Sequence, residues 1–133
     1  MAKTVNIKTT EYLNWNLIGV NSQVKDYQLA MAIGDDAQMN LSLTQKVNLD
    51  KAIFYHGQND FQHIILLNNQ VDQDKYIFTS LKTFEYILIS NNIGEKCLKK
   101  LNINPSILLA NNISLTVLSA KELKIFRFII DNF

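Results

Sequence analysis

The chain of 133 residues is short of the things that usually announce a function. It has one cysteine, Cys97, so an intrachain disulfide is excluded. It has one proline, Pro105, and four scattered glycines, Gly19, Gly34, Gly57 and Gly94, which cannot make a glycine-rich phosphate loop. It has one arginine, Arg127, within a balance of 13 basic and 12 acidic residues and a net charge of +1. Readers of nucleic acid carry a basic excess and use arginine for bidentate contacts, so no nucleic-acid partner is expected. Apolar runs such as Ile64 to Leu67 and Ile107 to Ala110 are strand-sized, far below the roughly 18 residues of a membrane span. The opening residues, MAKTVNIKTT, lack the apolar stretch of a secretory signal. Together these absences point to a cytoplasmic protein with no membrane partner.

What is present is apolar: 47% of residues are hydrophobic and 19% charged. A chain of this length buries roughly two-thirds of its unfolded surface and needs no staple, so a single domain over residues 1–133 is expected. Val5 and Ile7 alternate with polar residues as in a short strand. Leu13, Trp15 and Leu17 alternate with Asn14 and Asn16 and run into Ile18-Gly19-Val20, a strand entering covered sheet. Asn21-Ser22 signals a helix start, with Val24, Tyr27 and Met31 as the buried stripe and Gly34 as the stop. Residues 35–50 read as a connection with a short extended piece.

Ala52 to His56 and Phe61 to Leu67 form a hairpin around Gly57 to Asp60. Asn68 to Lys75 reads as a polar turn, and Tyr76 to Phe78 and Phe84 to Ser90 as strands. Asn92 and Glu95 have capping-box spacing before a short helix carrying Cys97, Leu98 and Leu101, which Pro105 prevents from continuing. Ile107 to Ala110 is a further strand. Ser119 and Glu122 repeat the capping-box spacing. After it, Leu123, Phe126 and Ile130 fit a helix and Ile125 to Ile130 fits a buried strand equally; β-branched and aromatic content favours a strand after one helical turn. The fold class expected is α+β, mainly an antiparallel β-sheet with two helices packed on one face; a split βαβ layout is one arrangement of these parts.

Candidate chemistry is sparse, and no catalytic set is expected. His56 and His63 flank the hairpin loop; with Gly57 to Asp60 as the loop they are diagonal neighbours about 7–8 Å apart. That is loose for joint ligation, zinc wants three or four converging ligands, and two surface histidines with no metal is the expectation. Cys97 lies on an apolar stripe, where cysteine acts as a small hydrophobe, although Lys96 beside it and its early helical place could lower a thiol pKa. Asp35-Asp36 and Asp72/Asp74 sit in polar loops as solvated turn residues, and the second pair lacks the glycine and glutamate of a calcium loop. No cofactor is implied.

The most pointed cluster is Lys25-Asp26-Tyr27, which could grip an anion or tune a proton donor. The plainer alternative has Tyr27 in the core, with Lys25 and Asp26 in solvent. Glu85-Tyr86 begins an apolar strand, where a charge must face solvent, lie at an edge, or pair, with Lys25 or Lys82 as candidates. Lys25, Asp26, Tyr27, Glu85 and Tyr86 are therefore the candidate ligand-binding residues.

Leu17 to Ile33 and Leu81 to Ser90 together resemble the bacterial family named for its signature Ile-Pro-Glu-x-x-x-Val-Asp-Tyr (IPExxxVDY). That family carries a Leu-Ile-Gly stretch, a Lys-Asp-Tyr helix start, the signature with an apolar strand after it, and a lysine-bearing turn near the C-terminus. Here Leu17-Ile18-Gly19, Lys25-Asp26-Tyr27 and Leu118-Ser119-Ala120-Lys121 stand in the matching places. Phe78-Thr79-Ser80 replaces Ile-Pro-Glu and Phe84-Glu85-Tyr86 replaces Val-Asp-Tyr, so the resemblance implies a divergent member without the signature proline and glutamate. It implies no activity. The leading expectation is a non-catalytic accessory or protein-interaction domain, partnered by a second copy or another protein, because apolar strand surface is often covered by self-association. The alternative is a small-molecule-binding protein or minor enzyme with its pocket near the Lys25–Tyr27 helix.

Overall fold

A computed structural model of the chain describes residues 14–91 and 95–133. The expected strand at Val5 to Ile7 and the capping residue Asn92 lie outside the described residues. The elements run in the order β1 (Trp15–Ser22), α1 (Asp26–Ala37), β2 (Ser42–Thr44), β3 (Phe54–Gln58), β4 (His63–Asn68), β5 (Gln70–Asp72), β6 (Lys75–Tyr76), β7 (Tyr86–Asn91), α2 (Glu95–Ile103), β8 (Ile107–Ile113) and α3 (Ala120–Asp131). Short 3-10 turns occupy Thr79–Leu81 and Leu115–Val117.

Six strands form one sheet in the order β2-β3-β4-β7-β1-β8, with antiparallel neighbours throughout. β7 and β8 each pair antiparallel with β1 between them and are joined through α2, so β7-α2-β8 is a split βαβ unit, as one arrangement expected from the sequence has it. β5 and β6 form a separate two-stranded ribbon where a plain polar turn is expected. β4 and β7 lie at the centre and are covered on both sides, which explains the unbroken runs Ile64–Leu67 and Ile87–Ile89.

Strand alternation divides the core. Ile18, Val20, Ile64, Leu66 and Leu88 face α1 and α2, which bury Leu29, Ala30, Ile33 and Leu101 against them. The two helices legible in the sequence do share one face of an antiparallel sheet. On the opposite face Leu17, Phe54, Ile65, Leu67, Ile87 and Ile89 meet Phe126, Ile129 and Ile130 of α3, together with Ile77, Phe78 and Leu81.

The strand expected at Ile125 to Ile130 is thus a helix. Phe126, Ile129 and Ile130 stand at i, i+3 and i+4 on its buried side, and packing on the sheet outweighs β-propensity. The capping box does form: Glu122 N–H donates to Ser119 Oγ (3.2 Å) and Ser119 N–H to Glu122 Oε1 (2.9 Å).

α1 turns the other way from its expected orientation. Its buried side is Leu29, Ala30, Ile33 and Gly34, while Tyr27 and Met31 are 57% and 62% exposed. The chain reaches the helix through Lys25 as N-cap, three residues later than Ser22. That offset rotates the stripe.

The sheet's two outer edges differ. β2 has only three residues. β8 has seven, with Leu108 bulged out opposite the Asn21–Ser22 step, and its free side is met by α2. Asn102 of that helix donates its amide to Ala110 O (2.9 Å) and accepts from Ala110 N–H (3.0 Å), making the pair of bonds a neighbouring strand would make.

Candidate functional site

Two polar clusters lie on opposite faces of the sheet. The first gathers part of the set singled out in the sequence. Asp26, the first residue of α1, accepts a hydrogen bond from the hydroxyl of Tyr86, which opens β7. Tyr55 of β3 stands nearby. Burial and then its bond to Asp26 hold the Tyr86 phenol well above the ordinary value of 10.0. Burial and then the Asp26 charge raise Tyr55 as well. Both phenols therefore stay protonated at neutral pH, and Tyr86 donates to the carboxylate. This arrangement ties α1 to the sheet and supplies neither a nucleophile nor a poised base.

Glu85 lies just outside that tie. Its Oε1 accepts from Ser22 N–H (2.8 Å), its own N–H donates to Asn21 Oδ1 (2.8 Å), and its carbonyl accepts from Asn69 N–H (2.8 Å). The expected lysine partner is replaced by the backbone at the end of β1. Lys25 N–H donates weakly to Gln28 Oε1 (3.4 Å), and its residue is exposed. Tyr27 faces away from the core. The structure thus joins Asp26 to Tyr86 across 60 positions of sequence and sets Glu85 beside them, while Lys25 and Tyr27 stay apart.

The second cluster joins the two histidines that the sequence places on one face as diagonal neighbours, but closer together and deeper than expected. β3 and β4 pair with Gln58 opposite His63 and His56 opposite Ile65, so the loop is Asn59 to Gln62, two residues later than expected. His63 is then the diagonal neighbour of His56 in the opposite sense. A right-handed twist draws the two diagonals of a strand pair to unequal distances, and these histidines occupy the near one. Their Nε2 atoms are hydrogen-bonded to each other and their ring centroids are 4.4 Å apart.

Nor are they surface residues. His63 is buried, edge-to-face with Trp15 at a centroid separation of 5.3 Å, and His56 is half-buried under Phe133 at a centroid separation of 4.7 Å. Burial first, then the neighbouring His63, then Lys46 lower the pKa of His56 to about 4. Burial, then Lys46, lower that of His63. Both imidazoles are neutral at pH 7. The backbone beneath them is fixed, because Ser90 Oγ donates to His63 O (2.7 Å) and His63 N–H donates to Asn91 Oδ1 (2.7 Å).

No protein-family model matches the chain, and no curated protein matches it.

Two further polar side chains on the α3 face are structural. Asn69, fully buried, donates to the carbonyls of Phe78 (3.2 Å), Leu81 (2.9 Å) and Phe84 (3.2 Å) and accepts from Phe78 N–H (2.8 Å). Glu122 accepts from Ser80 N–H (2.9 Å) and Ser80 Oγ (2.6 Å) as well as from Ser119. Burial raises its pKa, but the bonds from Ser80 and Ser119 outweigh that and hold it below the ordinary 4.5. Cys97 is half-buried and lines an apolar cleft with Ile33, Ile64, Leu88 and Leu101. Among the described residues, no buried side-chain polar atom lacks a hydrogen-bond partner.

Proposed function

We propose that this chain is a non-catalytic accessory domain, a divergent member of the IPExxxVDY family, that works in the cytoplasm through protein contact and pairs with a second copy of itself. One observation carries the reading. The α1 and α2 layer presents large apolar side chains outward: Tyr27 and Met31 along α1, Ile103 at the end of α2 and Leu108 just after it, between 57% and 80% exposed. Asn104 joins these segments by donating to Ala32 O (3.5 Å) and Asp36 Oδ2 (3.0 Å). Exposed apolar surface of this kind is what association covers. A two-fold axis needs only one self-complementary patch, and a net charge of +1 does not hold two copies apart.

Two supporting features concern what the polar groups do. The clusters described above are engaged in structural hydrogen bonds, and none sets a nucleophile beside an oriented base. Sedimentation velocity from low to high micromolar concentration tests the pairing. The expected result is a dimer that Tyr27→Glu with Met31→Glu converts to a monomer at unchanged melting temperature. A monomer at high micromolar concentration ends the pairing.

The second reading, a small-molecule binder, has one observation in its favour: the cleft between the two helices and the sheet, beside Cys97. The Lys25–Tyr27 segment does not line it. A thermal-shift screen in which apolar acids or amides stabilise the wild type, and cease to do so in Ile33→Trp, would favour it.

A further inference from the structure

We propose that His56 and His63 form a two-imidazole clip for a divalent transition-metal cation of the zinc and copper class. The two side chains come from neighbouring strands of one rigid hairpin, and their Nε2 atoms already meet at one point. Imidazole nitrogen suits zinc, copper and nickel, and the ligand form is the neutral ring. A tetrahedral ion with metal–nitrogen bonds of about 2.0–2.1 Å holds two nitrogens about 3.3 Å apart, so the rings need to part only slightly. His56 is half-buried, whereas His63 is buried against Trp15 with its backbone anchored to Ser90 and Asn91.

Proton balance is simple. As the rings stand, one Nε2–H donates to the other Nε2, and that proton occupies the place the ion would take. Binding moves it to Nδ1 of the same ring, so two neutral imidazoles ligate with no net proton release. Lys46 is the charge that faces the pair; it opposes a cation as it opposes a proton. No third histidine, cysteine, aspartate or glutamate joins the pair among the described residues, so water completes the coordination and the ion is exchangeable.

The test uses the full chain with Zn2+ or Cu2+ salts alone. At pH 7.5, Zn2+ raises the melting temperature of the wild type, and the affinity drops by at least about tenfold in His56→Gln and in His63→Gln. Cys97→Ser keeps the wild-type response, which excludes the thiol as ligand, and Lys46→Gln tightens binding. If a histidine variant fails to fold, electron paramagnetic resonance of Cu2+ on the wild type decides by showing coupling to two imidazole nitrogens. No stabilisation at millimolar Zn2+, an unchanged response in both histidine variants, or a Cu2+ spectrum without two nitrogens would overturn the proposal.

Discussion

The two faces of the sheet are sealed by different means. The α1 and α2 face is closed mainly by aliphatic side chains at helical spacing, with buried Ser90 and a carboxylate–phenol tie between Asp26 and Tyr86 as its polar groups. The α3 face holds Phe54, Phe78 and Phe126, yet it also encloses Asn69, Glu122 and the paired histidines. A face sealed by aliphatic contact loses stability in proportion to what is removed. A face with buried polar groups fails sharply, because each lost partner leaves another group unsatisfied.

The largest expected effect falls on the α3 face. Asn69→Ala removes a side chain that bonds three carbonyls and one N–H, and should cost about 3 kcal/mol or more in urea unfolding. A loss near that of an ordinary surface change would equalise the two faces. Gly19→Ala comes next. A Cβ there would lie 2.4 Å from the ring of Phe84, which rests flat on the backbone, so crowding of about 1–3 kcal/mol is expected.

Glu122→Gln should cost about 2 kcal/mol at pH 7. It should also flatten the acid limb. The carboxyl is held below 4.5 in the fold, so its contribution is present above that value and is lost as pH falls through the folded value.

The histidines add a second acid limb on the same face. The unfolded chain takes protons near 6.5 while His56 resists until about 4, so in chelator-treated protein stability declines across that window. Trp15 fluorescence, read against pH in the wild type and in His63→Gln, checks this. On the other face the sign reverses: Tyr86 and Tyr55 titrate above 10.0, so their contribution is full below that pH and is lost as pH rises through the folded values. Tyr86→Phe, the smallest effect at about 1 kcal/mol, should blunt alkaline unfolding and leave the acid limbs unchanged.

The same contrast decides what could be read in advance. The aliphatic runs of β4 and β7 and the spacing of Leu98 and Leu101 mark covered strands and a buried helix, because apolar periodicity reports burial directly, and hairpin-length connections point to an antiparallel sheet with helices on one face. Asp26 and Tyr86 were singled out as candidates, but their meeting depends on β7 lying beside β1, a long-range fact with no local signal. Ile125 to Ile130 satisfies both periods, and its β-branched and aromatic content favours a strand, although Ser119 and Glu122 mark a helix start. With that helix misread, nothing indicated a lid over His56 and His63. The choice between their near and far diagonals turned on a two-residue shift of one loop. Asn69 looked like any turn residue, and its four bonds exist only once residues 77–85 fold back over it.

Asn102 bears on how long this protein stays in solution. Leu109 to Ile113 is uncharged and contains no proline, the makeup from which cross-β fibrils are templated. The amide of Asn102, carried on a nine-residue helix that packs on β8, holds the Ala110 backbone groups that a counterpart strand would take. The onset of fibril growth should therefore follow the undocking of α2 rather than the melting of the sheet, and Asn102→Ala should shorten the lag.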